Sequence, residues 1–160
     1  MFNQIMNMLQ TCDTDHGVLP PTEVFNEGWM LRLILDWFSR QPTSEHKLSF
    51  EEGARWYSEI LLPPPFLPRF QKDPQAESYT HADGVIGHFS MGRSGKGDID
   101  LHPDATQLVV IEAKFFTSLS KGIRNFKNYD QAARTTACIA QTLSIINRQI
   151  KVTIFYFLMT

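Results

Sequence analysis

The segment GDIDLHPDATQLVVIEAK, which runs from Gly97 to Lys114, holds the residues that decide the fold. Within it begins a run of apolar and β-branched residues, Gln107 to Phe116, that predicts a buried strand. Side chains alternate across a strand, so Val110, Glu112 and Lys114 share one face, and both faces are otherwise apolar. Such a strand is central in a sheet, where a carboxylate and an ammonium cost on the order of several kcal/mol unless they are paired, hydrated or metal-bound. The two charges therefore need a structural or a chemical reason.

A second pair of charges precedes this strand. Asp98 and Asp100 lie two residues apart on a short predicted strand, Asp98 to His102, and so point to the same face. The turn-forming Pro103-Asp104 predicts a hairpin between the two strands. The register then decides whether Asp98 or Asp100 lies opposite Glu112. Converging carboxylates favour a bound cation, and hard oxygen ligands suit Mg²⁺ or Mn²⁺ better than zinc. An ordinary ion pair near a strand end is the alternative explanation of the charged pair on the apolar strand.

The rest of the chain predicts helices before and after these strands. Thr22 is a candidate N-cap for a helix that ends at Arg40. Ser49-Phe50-Glu51-Glu52 matches a capping box, so a second helix is expected to run from Ser49 to the proline run that begins at Pro63. The remaining predicted elements are a strand, a helix and a strand, over Tyr79 to Phe89, Asn128 to Ile146 and Lys151 to Met159. The predicted order is α, α, β, β, β, α, β.

Length and composition bound the class of protein. The 160 residues fit one domain over residues 1–160, with a core from about residue 22 onward, and an apolar content of 42% is enough for that core. A net charge of -2 gives no global electrostatic reason to expect a polyanion. Cys12 and Cys138 form no zinc or disulfide pattern, and neither a secretory signal nor a membrane span is seen. We expect a cytoplasmic protein with no membrane partner.

The segment GDIDLHPDATQLVVIEAK resembles the PD-(D/E)XK, or restriction-endonuclease-like, nuclease superfamily, in which an aspartate opens one strand and E-x-K lies on the next. Gly97 stands where that motif has proline. The resemblance implies an α/β fold whose restriction-endonuclease-like mixed sheet (αβββαβ) is flanked by helices. It also implies a metal-dependent nuclease that hydrolyses phosphodiester bonds, with DNA as the favoured substrate. Mg²⁺ or Mn²⁺ would be held by Glu112 and by Asp98 or Asp100, with Lys114 acting on the attacking water and the transition state.

The resemblance adds two residues to the expected site. A glutamate on the first core helix often assists the metal in such proteins, and Glu27 occupies that place here; the alternative is a solvated glutamate favoured by the helix dipole. A glutamine or basic residue often lies on the helix after the third strand, and Gln131 is the candidate for holding the attacking water or a phosphate. Its alternative is a surface residue. The sequence does not decide the oligomeric state; a homodimer is one candidate, since nucleases that act on both strands often dimerise.

A local excess of basic residues offers a nucleic-acid contact. Between Lys114 and Arg134 the chain has five basic residues and one acidic residue, Asp130. Such clusters make contacts to the phosphate backbone that do not depend on sequence. The candidate nucleic-acid-binding residues are Lys121, Arg124, Lys127 and Arg134. A solvated basic loop is the alternative.

Other assignments are weaker. Asp83, on the Tyr79 to Phe89 strand, is a substitute for Asp98 as the key aspartate. His81, His88 and His102 suggest no zinc set, because nothing else completes one. The alternative function is a catalytically inactive or truncated nuclease-fold protein that acts as a nucleic-acid-binding or interaction module. A third interpretation is a domain whose charged cluster is only a structural ion network.

Overall fold

The computed structural model describes residues 27–41, 46, 48–77, 79–92, 97–115, 130–146 and 151–159. These residues form two helices and six strands, and none of the described helices is both long and apolar enough to cross a membrane. In chain order the elements are α1 (Glu27–Ser39), β1 (Arg55–Leu62), β2 (Thr80–Gly87), β3 (Phe89–Met91), β4 (Ile99–Leu101), β5 (Gln107–Phe115), α2 (Gln131–Ile146) and β6 (Lys151–Met159).

The strands form a mixed four-stranded sheet and a separate two-stranded one. The main sheet has the order β1-β2-β5-β6, in which the first two pairs are antiparallel and β5 pairs with β6 in parallel. A parallel pair needs a crossover connection, and α2 lies in the segment that joins β5 to β6. The small sheet is the antiparallel pair β3-β4. The protein is therefore an α/β domain with helices against a mixed sheet, and β5 lies in its interior, as predicted.

The sheet separates two apolar clusters. On one side Leu31 and Leu35, one turn apart on α1, pack with Val109 and Ile111 of β5. On the other side α2 contributes Cys138 and Ile139 to a cluster that includes Leu108 and Val110. The alternating side chains of β5 therefore contribute to both apolar clusters. The two charged side chains of the strand, Glu112 and Lys114, lie near its end.

The second predicted helix is wrong, since residues 55–62 form the edge strand β1. The capping-box residues precede this strand and make other contacts. The Glu51 carboxylate accepts a hydrogen bond from Thr106 Oγ1 at 2.6 Å, and the Ser49 carbonyl accepts one from Gln107 Nε2 at 2.7 Å. Along β1, exposure alternates from residue to residue before the strand becomes fully buried, which is the period of a strand. The pairing of this segment with β2 therefore outweighs the helix signal of the capping box.

The predicted hairpin between the Asp98 strand and β5 is also wrong. β4 pairs with β3, with Asp100 opposite Ser90, whereas β5 pairs with β2. The long strand β2 contributes Val85 to one apolar cluster and Ile86 to the other, whereas the three-residue strand β4 contributes to the first cluster only. The Pro103-Asp104 turn does form, with the Ala105 N–H donating to the carbonyl of His102, but it leads the chain back to β2.

Candidate functional site

The Glu112 carboxylate is the centre of the candidate site. Glu112 is 4% exposed, and its Oε1 accepts a hydrogen bond from Lys114 Nζ at 3.0 Å. The two side chains lie two residues apart on the same face of β5, so the strand itself holds them together. Gln131 Nε2 donates to the same oxygen. An opposite charge offsets much of the cost of burying the carboxylate.

Gln131 reaches Glu112 because it is the first residue of α2. The helix is capped by Asp130, whose Oδ1 accepts a hydrogen bond from the N–H of Ala133 at 2.7 Å. The cap fixes where the helix starts and therefore where the Gln131 side chain lies. The positive end of the helix dipole at this terminus also favours the buried carboxylate. The structure thus brings together three of the predicted catalytic residues, Glu112, Lys114 and Gln131.

A second carboxylate approaches from β2. The paired part of β2 and β5 ends with Gly84 opposite Ile111, and Asp83 and Glu112 are the next residues of the two strands beyond that pair. Asp83 Oδ2 accepts a hydrogen bond from the N–H of Ala113 at 2.7 Å. The Asp83 side chain therefore lies against the backbone of β5 beside Glu112.

The strand alternation breaks at Asp83. Ile86 packs in the α1 cluster, whereas Ala82, four residues earlier, packs in the α2 cluster, although residues four apart on a regular strand share a face. The neighbouring strand is irregular at the matching position, because Glu59 has a positive φ of 57°. Gly84 follows, and an added Cβ there would lie 3.1 Å from Leu31 Cδ2. The local distortion places the Asp83 carboxylate beside β5.

Asp98 and Asp100 lie elsewhere. Asp98 forms a parallel bridge with Leu61 at the outer edge of β1, and Asp100 is exposed on β4. Two strands, β1 and β2, separate Asp98 from β5, so three spacings of about 4.8 Å put its backbone roughly 14 Å from that of β5. The structure does not bring either aspartate to Glu112, because the hairpin on which that expectation depended does not form.

The remaining predicted residues are placed in part. Glu27 is the first residue of α1, and its side chain lies outside the described part of the chain. Arg134 Nε donates to Glu77 Oε2 at 2.9 Å, so its guanidinium is engaged in an ion pair between α2 and the β1–β2 loop. Three of the basic candidates, together with Cys12, lie outside the described residues: Lys121, Arg124 and Lys127.

The sequence-based prediction placed Asp83 behind Asp98, whereas the structure sets the Asp83 carboxylate against the backbone of β5 at Ala113. Its signal in the sequence was a carboxylate followed by a glycine within the predicted Tyr79 to Phe89 strand. The buried Glu112 and the half-buried Asp83 lie on adjacent strands, with an ammonium and an amide beside Glu112, and such groups could hold a hard cation and stabilise a charged oxygen. Within the described ranges, no group of three or more His, Cys, Asp or Glu side chains is arranged to hold a metal ion. Comparisons with protein-family models, with curated proteins and with solved structures found no match to this chain.

Proposed function

We propose that this protein is a metal-dependent nuclease of the PD-(D/E)XK type that hydrolyses phosphodiester bonds, with DNA as its substrate. The observation that carries the proposal is the Glu112 carboxylate, buried on an apolar strand between Lys114 and Gln131, with Asp83 of the next strand bonded to the N–H of the neighbouring Ala113. Asp83 takes the role that the resemblance first gave to Asp98 or Asp100.

The order of elements supports the proposal. Without the small β3–β4 sheet, the described elements run α1, β1, β2, β5, α2, β6, which is the αβββαβ order of a restriction-endonuclease-like core. The sheet order β1-β2-β5-β6, with a parallel last pair, agrees with that core. On this proposal β3 and β4 are an insertion between the two strands that carry Asp83 and Glu112.

The carboxylates fit a divalent ion. Asp83 and Glu112 supply hard oxygen donors from two adjacent hydrogen-bonded strands, each one residue beyond the last pair of Gly84 and Ile111, and Mg²⁺ or Mn²⁺ takes such ligands. These two residues would hold the ion, which supplies Lewis acidity and makes a bound water a better nucleophile. The chain contributes the rest of the chemistry. The Lys114 ammonium, 3.0 Å from Glu112, orients the water and stabilises negative charge that develops on the phosphate oxygens. Gln131 fixes the Glu112 carboxylate and offers its amide to the phosphate.

One observation favours a second function. Lys114 and Gln131 both donate to the same oxygen of Glu112, and such a network also holds a sheet and a helix together without chemistry. A catalytically inactive protein of this fold would keep the network and act as a nucleic-acid-binding or interaction module.

The test is cleavage of plasmid, linear and single-stranded DNA with Mg²⁺ or Mn²⁺, set against EDTA. Lys114→Ala should lower the rate by on the order of 10² to 10³-fold, because a preorganised charge at the transition state is lost. Arg40→Ala is the matched control, since it removes a cation that pairs with Asp36 on α1, away from β5. No cleavage by the folded wild type, with DNA binding retained in EDTA, would instead support the binding module.

A further inference from the structure

The loop between β1 and β2, residues 63–79, presents apolar side chains to solvent. Leu67 is 66% exposed and Phe70 is 58% exposed, although the loop is otherwise ordered by internal contacts. Its backbone carries turns, with the N–H of Asp73 donating to the carbonyl of Phe70 at 3.2 Å and the N–H of Glu77 donating to that of Phe66 at 3.0 Å. Two large apolar side chains, Leu67 and Phe70, are thus presented to solvent by one short loop.

Asp73 holds this loop in one conformation. Its side chain is 1% exposed, and Oδ2 accepts hydrogen bonds from the Arg69 backbone N–H at 3.2 Å and from Arg69 Nε at 2.8 Å. Oδ1 accepts from Arg69 Nη2 at 3.1 Å and from the Gln75 N–H at 3.0 Å. Both carboxylate oxygens are thus satisfied by residues of the same loop. Phe70, next to Arg69, is therefore displayed by a preorganised support, which lowers the entropic cost of binding.

The exposed charged side chains of the loop are basic, although its four charges, on Arg69, Lys72, Asp73 and Glu77, sum to zero. Its two acidic side chains, Asp73 and Glu77, are buried and bonded to arginines. The basic side chains are outside, since that of Arg69 is 62% exposed and Lys72 is exposed. The Arg69 guanidinium lies over the Phe70 ring at 5.8 Å from its centroid. An exposed ring with a guanidinium over it, and with an exposed lysine two residues along the chain, is complementary to a nucleic-acid base and its phosphates.

The loop adjoins the candidate site. Glu77, near its end, is bonded to Arg134 of α2 at 2.9 Å. Arg134 lies three residues, or one helical turn, after Gln131, which bonds to Glu112. A chain that contacts this loop can therefore extend along the start of α2 toward Glu112.

We propose that Phe70, with Arg69 and Lys72 beside it, is a stacking platform for an unpaired base of single-stranded nucleic acid that leads into the Glu112 site. The inference rests on the proposed function for the reaction but concerns binding, so binding and cleavage can be measured apart. It gives the substrate class of the nuclease as nucleic acid with unpaired bases. A duplex hides the faces of its bases and would gain little from the ring.

The experiment compares the binding of a labelled single strand of about 20 nucleotides with the binding of the duplex of the same sequence. This strand is longer than the roughly 4–16 nucleotides that single-strand-binding folds cover. Fluorescence anisotropy is recorded in EDTA, where no cleavage occurs. Phe70→Leu keeps apolar area but removes the aromatic face, and it should weaken single-strand binding by about 5- to 100-fold, the effect of losing one base stack. Phe70→Tyr keeps the face and should bind like the wild type. Trp37→Leu removes an exposed ring from α1, on the other side of the sheet, and should change nothing.

The outcomes separate the two proposals. Loss of single-strand binding in Phe70→Leu but not in Phe70→Tyr supports the platform, whether or not the wild type cuts DNA. Equal binding by the wild type and Phe70→Leu, or no single-strand binding by the wild type, overturns the platform and leaves the cleavage test standing. A wild-type dimer that Phe70→Leu turns into a monomer, with no single-strand binding, would assign the surface to a second copy of the chain and overturn the platform as well.

Discussion

Two buried carboxylates, Glu112 and Asp73, are both held by a cation but belong to different kinds of structure. All the donors to Asp73 lie on its own loop, at Arg69 and Gln75, and they satisfy both of its oxygens. The donors to Glu112 come from β5 and from the start of α2, where elements distant in sequence meet. The Asp73 cluster is thus closed within one loop, whereas the Glu112 cluster joins a strand to the start of a helix. On the proposed function, Asp73 contributes to stability and Glu112 to the reaction.

The largest expected effect separates Asp83, which is bonded to β5 next to Glu112, from Asp98, which lies at the edge of β1. Asp83→Asn removes the charge beside Glu112 and should lower metal-dependent cleavage by on the order of 10²-fold or more, as loss of a preorganised group does. Asp98→Asn, beside Leu61 at the edge of β1, is the matched control and should cut at the wild-type rate. The measurement is the initial rate of plasmid cleavage. The reverse ranking would return the key role to Asp98 and break the account of the β2–β5 site.

The next effect is on stability and depends on pH. The Arg69 guanidinium holds the pKa of the Asp73 carboxyl well below its ordinary value of 3.8. A carboxyl whose pKa is lower in the folded state stabilises the fold above the unfolded pKa, and this contribution is lost as pH falls. Asp73→Asn should therefore melt below the wild type at pH 7, and the gap in Tm should narrow below about pH 4.

Thermal melts of both proteins across this range provide the check. At saturating DNA the cleavage rate per folded molecule should stay near that of the wild type, because the donors to Asp73 all lie on its own loop, whereas loosening of the loop that carries Phe70 would lower the affinity for single strands. A gap in Tm that is constant with pH would show that the Asp73 charge contributes nothing. Loss of cleavage without loss of Tm would contradict the division of roles between Asp73 and Glu112.

The smallest effect concerns a hydroxyl one turn beyond Gln131. Thr135 is buried on α2, and its Oγ1 has no hydrogen-bond partner among the described residues. Thr136 and Thr142 instead bond to carbonyls four residues earlier. Valine has a similar shape and removes the buried hydroxyl, so Thr135→Val should stabilise the fold by about 1 kcal/mol.

A stabilisation of that size should raise Tm by roughly 2–4 °C in a domain of this length. Differential scanning calorimetry measures it, with Thr136→Val as the exposed control. A fall in Tm would mean that the Thr135 hydroxyl has a partner that holds α2 near Glu112.

The sequence predicted the centre of the site because local rules determine it. Glu112 and Lys114 share a face through the two-residue period of a strand, and the helical pattern predicted the helix that carries Gln131, although α2 begins at Gln131 and not at the predicted Asn128. The helix α1 and the strands β2, β5 and β6 were predicted by the same periodicities.

The errors arose where pairing between distant segments decides the structure. The capping box at Ser49 is a real local pattern, but the residues after it pair with β2 and form a strand. Asp98 precedes a turn that resembles a hairpin, yet β2 competes for the same edge of β5 and buries more apolar surface. The importance of Asp83 depends on that pairing, and a period-2 pattern cannot reveal which strands become neighbours.

The most direct test of the central claim is the rate of DNA cleavage by the wild type and by Lys114→Ala in Mg²⁺, with circular dichroism to confirm that both are folded. A nuclease centred on Glu112 and Lys114 predicts cutting by the wild type that EDTA abolishes and that the variant lacks. Equal metal-dependent cutting by both folded proteins would contradict the account and place the chemistry elsewhere in the chain.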